Sequence, residues 1–258
     1  MKKGREKHER KSYIQNMTDF IGDIHEHKPQ KNTLTNFLCY KITFLLAFFV
    51  CSVSAAQTFE GWISYKIEPL NPSPELIEDS TWKAIVNEKI GEIGFITHKY
   101  YYSNGKYISE IIAGSEAGYK AYNPNDSLIY SWKKNSDTAI SVNSKMYLDE
   151  FIRISDYGST DTILGIPCIS VLVKSKLGEM IIWYNKDFFK LDKQYFTDHK
   201  YGHWNEIIKR LECLPLKIQQ YGVKPFHLQT AIGYSTRKLD DRVFEIPEFK
   251  AIIQRPFN

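Results

Sequence analysis

Residues 161–184, DTILGIPCISVLVKSKLGEMIIWY, decide the fold. They read as one β-hairpin: an apolar arm over 161–174, a glycine turn at 176–178 and a second arm over 179–184. In the first arm Ile169, Val171 and Val173 fall on one face, with Cys168, Ser170, Leu172 and Lys174 on the other. That is the period of two of a strand that buries one side. An apolar hairpin of this kind needs neighbours, and the chain on either side supplies them.

Upstream, residues 59–68 alternate cleanly. Phe59, Gly61, Ile63, Tyr65 and Ile67 share one face; Glu60, Trp62, Ser64, Lys66 and Glu68 share the other, which predicts a half-buried strand. Asn71-Pro72-Ser73-Pro74 ends it. Ser73 before Pro74 and Glu75 is an N-cap and first-turn combination. Leu76, Ile77, Trp82, Ile85, Val86 and Ile90 then form a helical stripe that closes near Gly91 or Gly94. Residues 98–102 and 106–112 flank Ser103-Asn104-Gly105, and Asn-Gly is a strong hairpin signal because both residues tolerate positive φ. Strands at 119–122, 127–133 and 138–143 follow, separated by Asn- and Asp-rich turns, and 146–155 leads into the central hairpin.

Downstream, residues 186–214 are charged and aromatic. Trp204, Ile207, Ile208 and Leu211 at helical spacing predict a helix over about 203–212. Strands resume at 216–221, 226–238 and 242–246. The fold class is therefore mainly β with helices (α+β): a curved antiparallel sheet, a half-open barrel, packed on two or so helices.

The chain has 258 residues, enough for one β-rich domain over 57–258 plus extensions. Of its 34 basic and 30 acidic residues, 9 and 5 lie in residues 1–56, leaving 25 and 25 in the domain. A domain without surplus positive charge lacks the footprint of phosphate-backbone binding, so nucleic acid is excluded as a partner. Residues 42–56, ITFLLAFFVCSVSAA, follow Lys41 and end in small side chains, a signal-peptide pattern with cleavage after Ala55 or Ala56. The run is short for a membrane span; an inner-membrane signal anchor is the alternative. Val50 before Cys51 argues against a lipidated cysteine. Residues 1–41 are polar and aperiodic, a disordered or mis-started leader, and their His25-Glu26-His27 carries no weight as a metal cluster. The expected location is the periplasm or outer envelope, where Cys168 and Cys213 are free to form a disulfide or remain two small core residues.

No set of residues announces a reaction. His199 and His203 are four apart, with Asp198 and Glu206 near them, but Gly202 interrupts the helical face that a metal pair needs, and exposed loop histidines are the commoner outcome. Gly114-Ser115-Glu116-Ala117-Gly118 has Glu116 where a nucleophile elbow has serine. No phosphate loop or dinucleotide fingerprint occurs, so neither a metal nor a cofactor is assigned. The remaining signal is the aromatic content of 14%. Trp62, Tyr65, Tyr101, Tyr107, Trp132, Trp183 and Tyr184 are the candidate ligand-binding residues, weighed against plain packing in a sheet.

Phe59-x-Gly61-x-Ile63-x-Tyr65, Tyr101-x-x-x-Gly105-Lys106-Tyr107, Thr162-Ile163-Leu164-Gly165-x-x-Cys168, Ile182-Trp183-Tyr184 and Phe244-x-Ile246-Pro247 together resemble a group of secreted, uncharacterised Gram-negative envelope proteins. That group is similar to the lipoprotein-carrier (Lol-type) fold. The resemblance spans 59–249 and implies an incomplete barrel with helices in its concave side, whose relatives hold acyl chains there. It brings no catalytic residue. The expectation is a non-enzymatic exported protein that binds an apolar or amphipathic ligand, a lipid or acylated peptide, in the hollow. The alternatives are an envelope interaction or scaffold protein whose hollow is filled by its own helices, acting through an envelope protein partner, and a hydrolase with a site dispersed in sequence.

Overall fold

Short alternating strands joined by Asn, Asp and Gly turns pair with their sequence neighbours, and here they build a single open sheet. The computed structural model describes residues 58–114, 116–222 and 226–255; the leader and signal-peptide readings over 1–56 lie outside the described residues. The strands are β1 (Gly61–Pro69), β2 (Ile96–Ser103), β3 (Lys106–Ala113), β4 (Glu116–Asn123), β5 (Leu128–Lys133), β6 (Thr138–Asn143), β7 (Phe151–Ile163), β8 (Ile166–Ser175), β9 (Glu179–Tyr184), β10 (Lys217–Tyr221), β11 (His227–Thr236) and β12 (Ala251–Gln254). Among the described residues two α-helices accompany them, α1 (Asp79–Ile90) and α2 (Trp204–Leu211). The sheet order is β12-β6-β5-β4-β3-β2-β1-β11-β10-β9-β8-β7. Two meanders thus meet where β1 pairs antiparallel with β11, and only the β12 to β6 pairing is parallel among the described strands.

The topology forces curvature. β6 and β7 lie near opposite ends of the sheet, yet the chain passes from Asn143 to Phe151 in eight residues. Eight residues reach at most about 28 Å, whereas ten flat strand spacings would span about 48 Å. The sheet must curl until its ends approach, and it does so without closing.

The hollow this creates is occupied by the chain between β9 and β10, which are themselves paired neighbours. This excursion carries two short 3₁₀ turns, Lys193–Phe196 and Tyr201–His203, and then α2. Phe196, Ile207, Ile208, Leu211, Leu214 and Leu216 are each at most 1% exposed. Ile207 and Leu211 pack with Val171, Val173, Ile182 and Tyr184, while Ile208 joins the larger cluster that contains Ile63, Tyr65, Cys168, Ile181 and Trp183. β9 and the second half of β8 are therefore covered on both faces, which is why their sequences are almost continuously apolar there.

Several sequence expectations need correcting. The central stretch is not one hairpin but parts of two, because Leu164 and Gly165 take φ of 54° and 78° and turn the chain, so residues 161–163 end β7. The single-face reading of the first arm also fails: Ile169 is 53% exposed, while Cys168 and Ser170 are buried beside Val171 and Val173. The β7–β8 register slips between Asp156 and Thr160, beside the point where the buried face of β8 changes. Helix α1 starts at Asp79 rather than at Ser73. The Asn71 side chain accepts from Ser73 N–H and donates to the Ile77 carbonyl, closing a separate turn first and leaving Leu76 outside the helix and exposed. Residues 242–246 are not a strand; the Asp240 carboxylate accepts from the Arg242 N–H and starts a 3₁₀ turn, Asp241–Phe244. Strand β12, unforeseen, lies beyond it.

Cys168 and Cys213 are free and buried, not a disulfide. The Cys168 thiol donates to the Ile166 carbonyl at 3.3 Å, and burial pushes the Cys213 thiol up to about 12. Each is a small core residue held by its own packing. Alkylation without reductant should leave both unlabelled in the folded chain and label both in denaturant; a peptide bridging them would contradict the free-thiol assignment. Gly61 offers a second check. Its φ is +146°, and a Cβ there would lie 2.0 Å from the Ser235 carbonyl oxygen, whereas at Gly158, φ +81°, a Cβ meets nothing within 4 Å. Gly61→Ala should cost at least about 3 kcal/mol of unfolding free energy because backbone must move. Gly158→Ala should cost only the left-handed strain, about 1 kcal/mol, and equal urea midpoints for the two variants would refute this.

Candidate functional site

Between the concave face of the sheet and the inserted segment lies a half-open cavity of about 190 Å³, lined by Tyr65, Tyr100, Tyr102, Tyr107, Lys120, His199, Tyr201, Gly202, Trp204, Pro215, Ile218 and Gln229. Strand alternation places Tyr65 of β1, Tyr100 and Tyr102 of β2, Tyr107 of β3 and Lys120 of β4 on this face. The inserted segment closes the other side with His199, Tyr201 and Trp204.

Hydroxyl bonds hold the two sides together. Tyr65 donates to the Pro215 carbonyl at 2.7 Å, Tyr122 to the Tyr195 carbonyl at 3.4 Å, and the Tyr107 hydroxyl shares a 3.1 Å bond with His199 Nε2. The rings also pack on one another: Tyr100 stacks on Tyr102 at 5.7 Å and 18° and meets Tyr107 edge-on at 5.7 Å. Burial raises Tyr65, Tyr100, Tyr102 and Tyr107 above the usual phenol range, so all four stay protonated.

Among the described residues that line the cavity, the only lysine or arginine is Lys120, whose Nζ lies 5.4 Å from the centre of the Tyr201 ring. Burial lowers its ammonium below the usual lysine range. Two histidines sense it. His98 Nε2 is 2.9 Å from Ser109 Oγ, which donates to the Lys120 carbonyl at 3.3 Å. His199 borders the cavity directly. Burial first, and the positive charge of Lys120 second, push both imidazoles down to about 3, so both are neutral at ordinary pH.

The seven aromatic candidates do not form one site. Tyr65 and Tyr107 line the cavity. Trp62 and Tyr101 pair on the opposite face of β1 and β2 and sandwich Lys99, whose Nζ is 4.2 and 5.3 Å from their rings. Trp132 stacks on Tyr119 and meets Phe249 of the C-terminal tail. Trp183 is buried beneath Lys217, and Tyr184 is sealed against α2. Sequence reading missed Tyr100, Tyr102, Lys120, His199, Tyr201 and Trp204. One signal was available: Lys120 stands two residues from Tyr122 in β4, on the phase that the strand buries.

Neither histidine of the pair at 199 and 203 is an exposed loop residue; both are 3% exposed. They also do not converge. Gly202 has a φ of 67°, His199 turns to Tyr107, and His203 Nε2 lies 2.7 Å from Asp149 Oδ1, tying the β6–β7 connection to the start of α2. No group of three metal-ligating side chains occurs among the described residues. For a hydrolase, the nearest arrangements are His203–Asp149, whose His203 Nδ1 has no partner among the described residues and whose nearby Ser175 bonds the carboxylate instead of the imidazole, and His98–Ser109, whose Ser109 is 1% exposed and outside the cavity lining.

No family model matches the chain, and no curated protein does. Among solved structures it is similar to PNGF-II in two crystal forms, at 13% identity in each, with TM-scores of 0.44 and 0.40 over 77% of this chain. The chain spans only 31% and 32% of the PNGF-II chains. It is also similar to an uncharacterized conserved protein from Thermus thermophilus, at 7% identity and a TM-score of 0.45, over 82% of this chain and 99% of that one.

The neutral histidines set a pH dependence. With both near 3 in the folded protein and 6.5 as the ordinary value, the unfolded chain binds more protons once the pH drops below about 6.5. Their contribution is present in full above that value. It is lost toward pH 3, by up to about 1.4 kcal/mol per pH unit for each histidine. The urea midpoint should fall between pH 7.5 and pH 5, above the carboxylate range, and His98→Asn should reduce that fall by about half. A flat midpoint across the interval would count against buried neutral imidazoles.

Proposed function

We propose that this domain is a non-enzymatic binding protein that takes the polar end or compact body of a small amphipathic ligand into the cavity between its curved sheet and inserted helix. The observation that carries the reading is the cavity itself. It is half-open, walled by tyrosine rings, and supplied with a few polar groups from separate elements, the usual anatomy of a small-molecule site. The signal-peptide pattern over 42–56 supports placing the protein in the periplasm or outer envelope.

Size narrows the ligand. A cavity near 150 Å³ holds a benzene-sized molecule, and small-molecule sites commonly run from about 300 Å³ upward. At about 190 Å³ the hollow has no room to engulf a lipid. α2 and the 3₁₀ turns already fill most of the concave side, which favours, as the second reading, a scaffold whose partner binds its surface.

Native mass spectrometry of the protein purified from its own producer in non-denaturing buffer tests the first reading. The expected result is a noncovalent small-molecule adduct that is lost on denaturation. A protein that is empty, and whose melting temperature no extract of small molecules raises, would remove the binding reading and leave the scaffold.

A further inference from the structure

The cavity is rich in donors and poor in acceptors. None of the described residues that line it is Asp or Glu. Lys120 has no carboxylate within salt-bridge distance among the described residues; its Nζ lies by the Tyr201 ring, and His98 and His199 feel its charge. The Tyr100 and Tyr102 hydroxyls make no hydrogen bond among the described residues, although both border the cavity. His199, 3% exposed, spends Nε2 on Tyr107 and leaves Nδ1 without a partner among the described residues. Buried polar groups are normally paired, and a withdrawn ammonium without an anion is costly. Three unspent groups from β2 and β4, the Lys120 ammonium and the Tyr100 and Tyr102 hydroxyls, therefore border one space that holds a single positive charge, with His199 beside them.

Resting on the binding reading above, we propose that the ligand is a small monocarboxylate with a flat apolar body, its carboxylate held by Lys120 Nζ and the Tyr100 and Tyr102 hydroxyls and its body lying against the tyrosine rings. An anion accepts from every unspent donor at once, and charge-assisted bonds to it are the strong ones. One lysine without arginine balances one negative charge, so a dianionic phosphate would remain half compensated. The volume, a little above that of a benzene site, leaves room for a ring or short branched chain beside the carboxylate. A cation would face Lys120 directly, and a bare acyl chain would leave the donors unpaired.

Calorimetric titration of the full chain at pH 7 with benzoate, benzyl alcohol and phenyl phosphate tests this. Benzoate should bind at least about tenfold tighter than benzyl alcohol, and phenyl phosphate no tighter than benzoate. Lys120→Met should lose that tenfold preference while keeping its affinity for benzyl alcohol, and Lys120→Arg should retain the preference. A melting curve for each variant separates lost binding from lost folding. Equal binding of benzoate and benzyl alcohol would overturn the carboxylate assignment and leave the cavity as a neutral-ligand site. Tighter binding of phenyl phosphate would overturn it in favour of phosphate. Failure of all three probes to bind would overturn the carboxylate assignment, while a small-molecule adduct in the native mass spectrum would keep the binding reading standing apart from it.

Discussion

The eight-residue passage from β6 to β7 is the constraint on which the rest of the structure depends. It ties together strands that lie near opposite ends of the twelve-strand order, and only a curled sheet brings those ends within reach of so short a chain. The curl creates a concave face, and a concave apolar face in water must be covered. The β9–β10 excursion covers it. The short passage is itself fastened to that excursion: Lys200 and Tyr201 N–H donate to the Ser144 carbonyl, and Asp149 pairs with His203. Curvature, filling and closure of the mouth are one coupled arrangement.

Tyrosine suits the seam between sheet and insertion because it brings a large apolar ring with a hydrogen-bonding tip. Tyr65, Tyr107 and Tyr122 reach from three strands to three points of the inserted segment. Their neighbours Tyr100 and Tyr102 complete the stack but find no tip partner among the described residues. The same seam is thus mostly structural and locally unfinished. The unfinished part is the cavity, and the charge of Lys120 beside neutral His98 and His199 gives it its electrostatic character.

The aromatic residues that attracted attention in the sequence serve mainly the two-sidedness of the sheet. Trp62 and Tyr101 hold the Lys99 stem on the face away from the cavity. Trp82 of α1 donates its indole N–H to the Pro69 carbonyl and so docks the helix to the end of β1. Trp132 receives Phe249 where the C-terminal tail runs on to β12. A β-strand places neighbouring side chains on opposite faces, so an aromatic pair adjacent in sequence cannot share one pocket. Trp183 and Tyr184 show this directly, belonging to different clusters.

The sequence by itself determined the strands from β1 to β6, the Asn104-Gly105 hairpin, the second helix near 203–212 and the open, helix-packed β class. Each is written in local periodicity and turn chemistry that near neighbours in the chain suffice to express. It also marked Tyr65, by its phase in β1, and Tyr107, as one of the aromatic candidates. Only the tertiary structure decided which face of β8 is buried, that Cys168 and Cys213 stay apart, and that His199 and His203 turn away from each other. These depend on a register slip, on left-handed backbone at Leu164, Gly165 and Gly202, and on contacts between segments far apart in the chain. The cavity belongs to the same class. Tyr107 meets His199 across 92 residues and Tyr65 meets Pro215 across 150, and no local pattern records a meeting that only the curl of the sheet brings about.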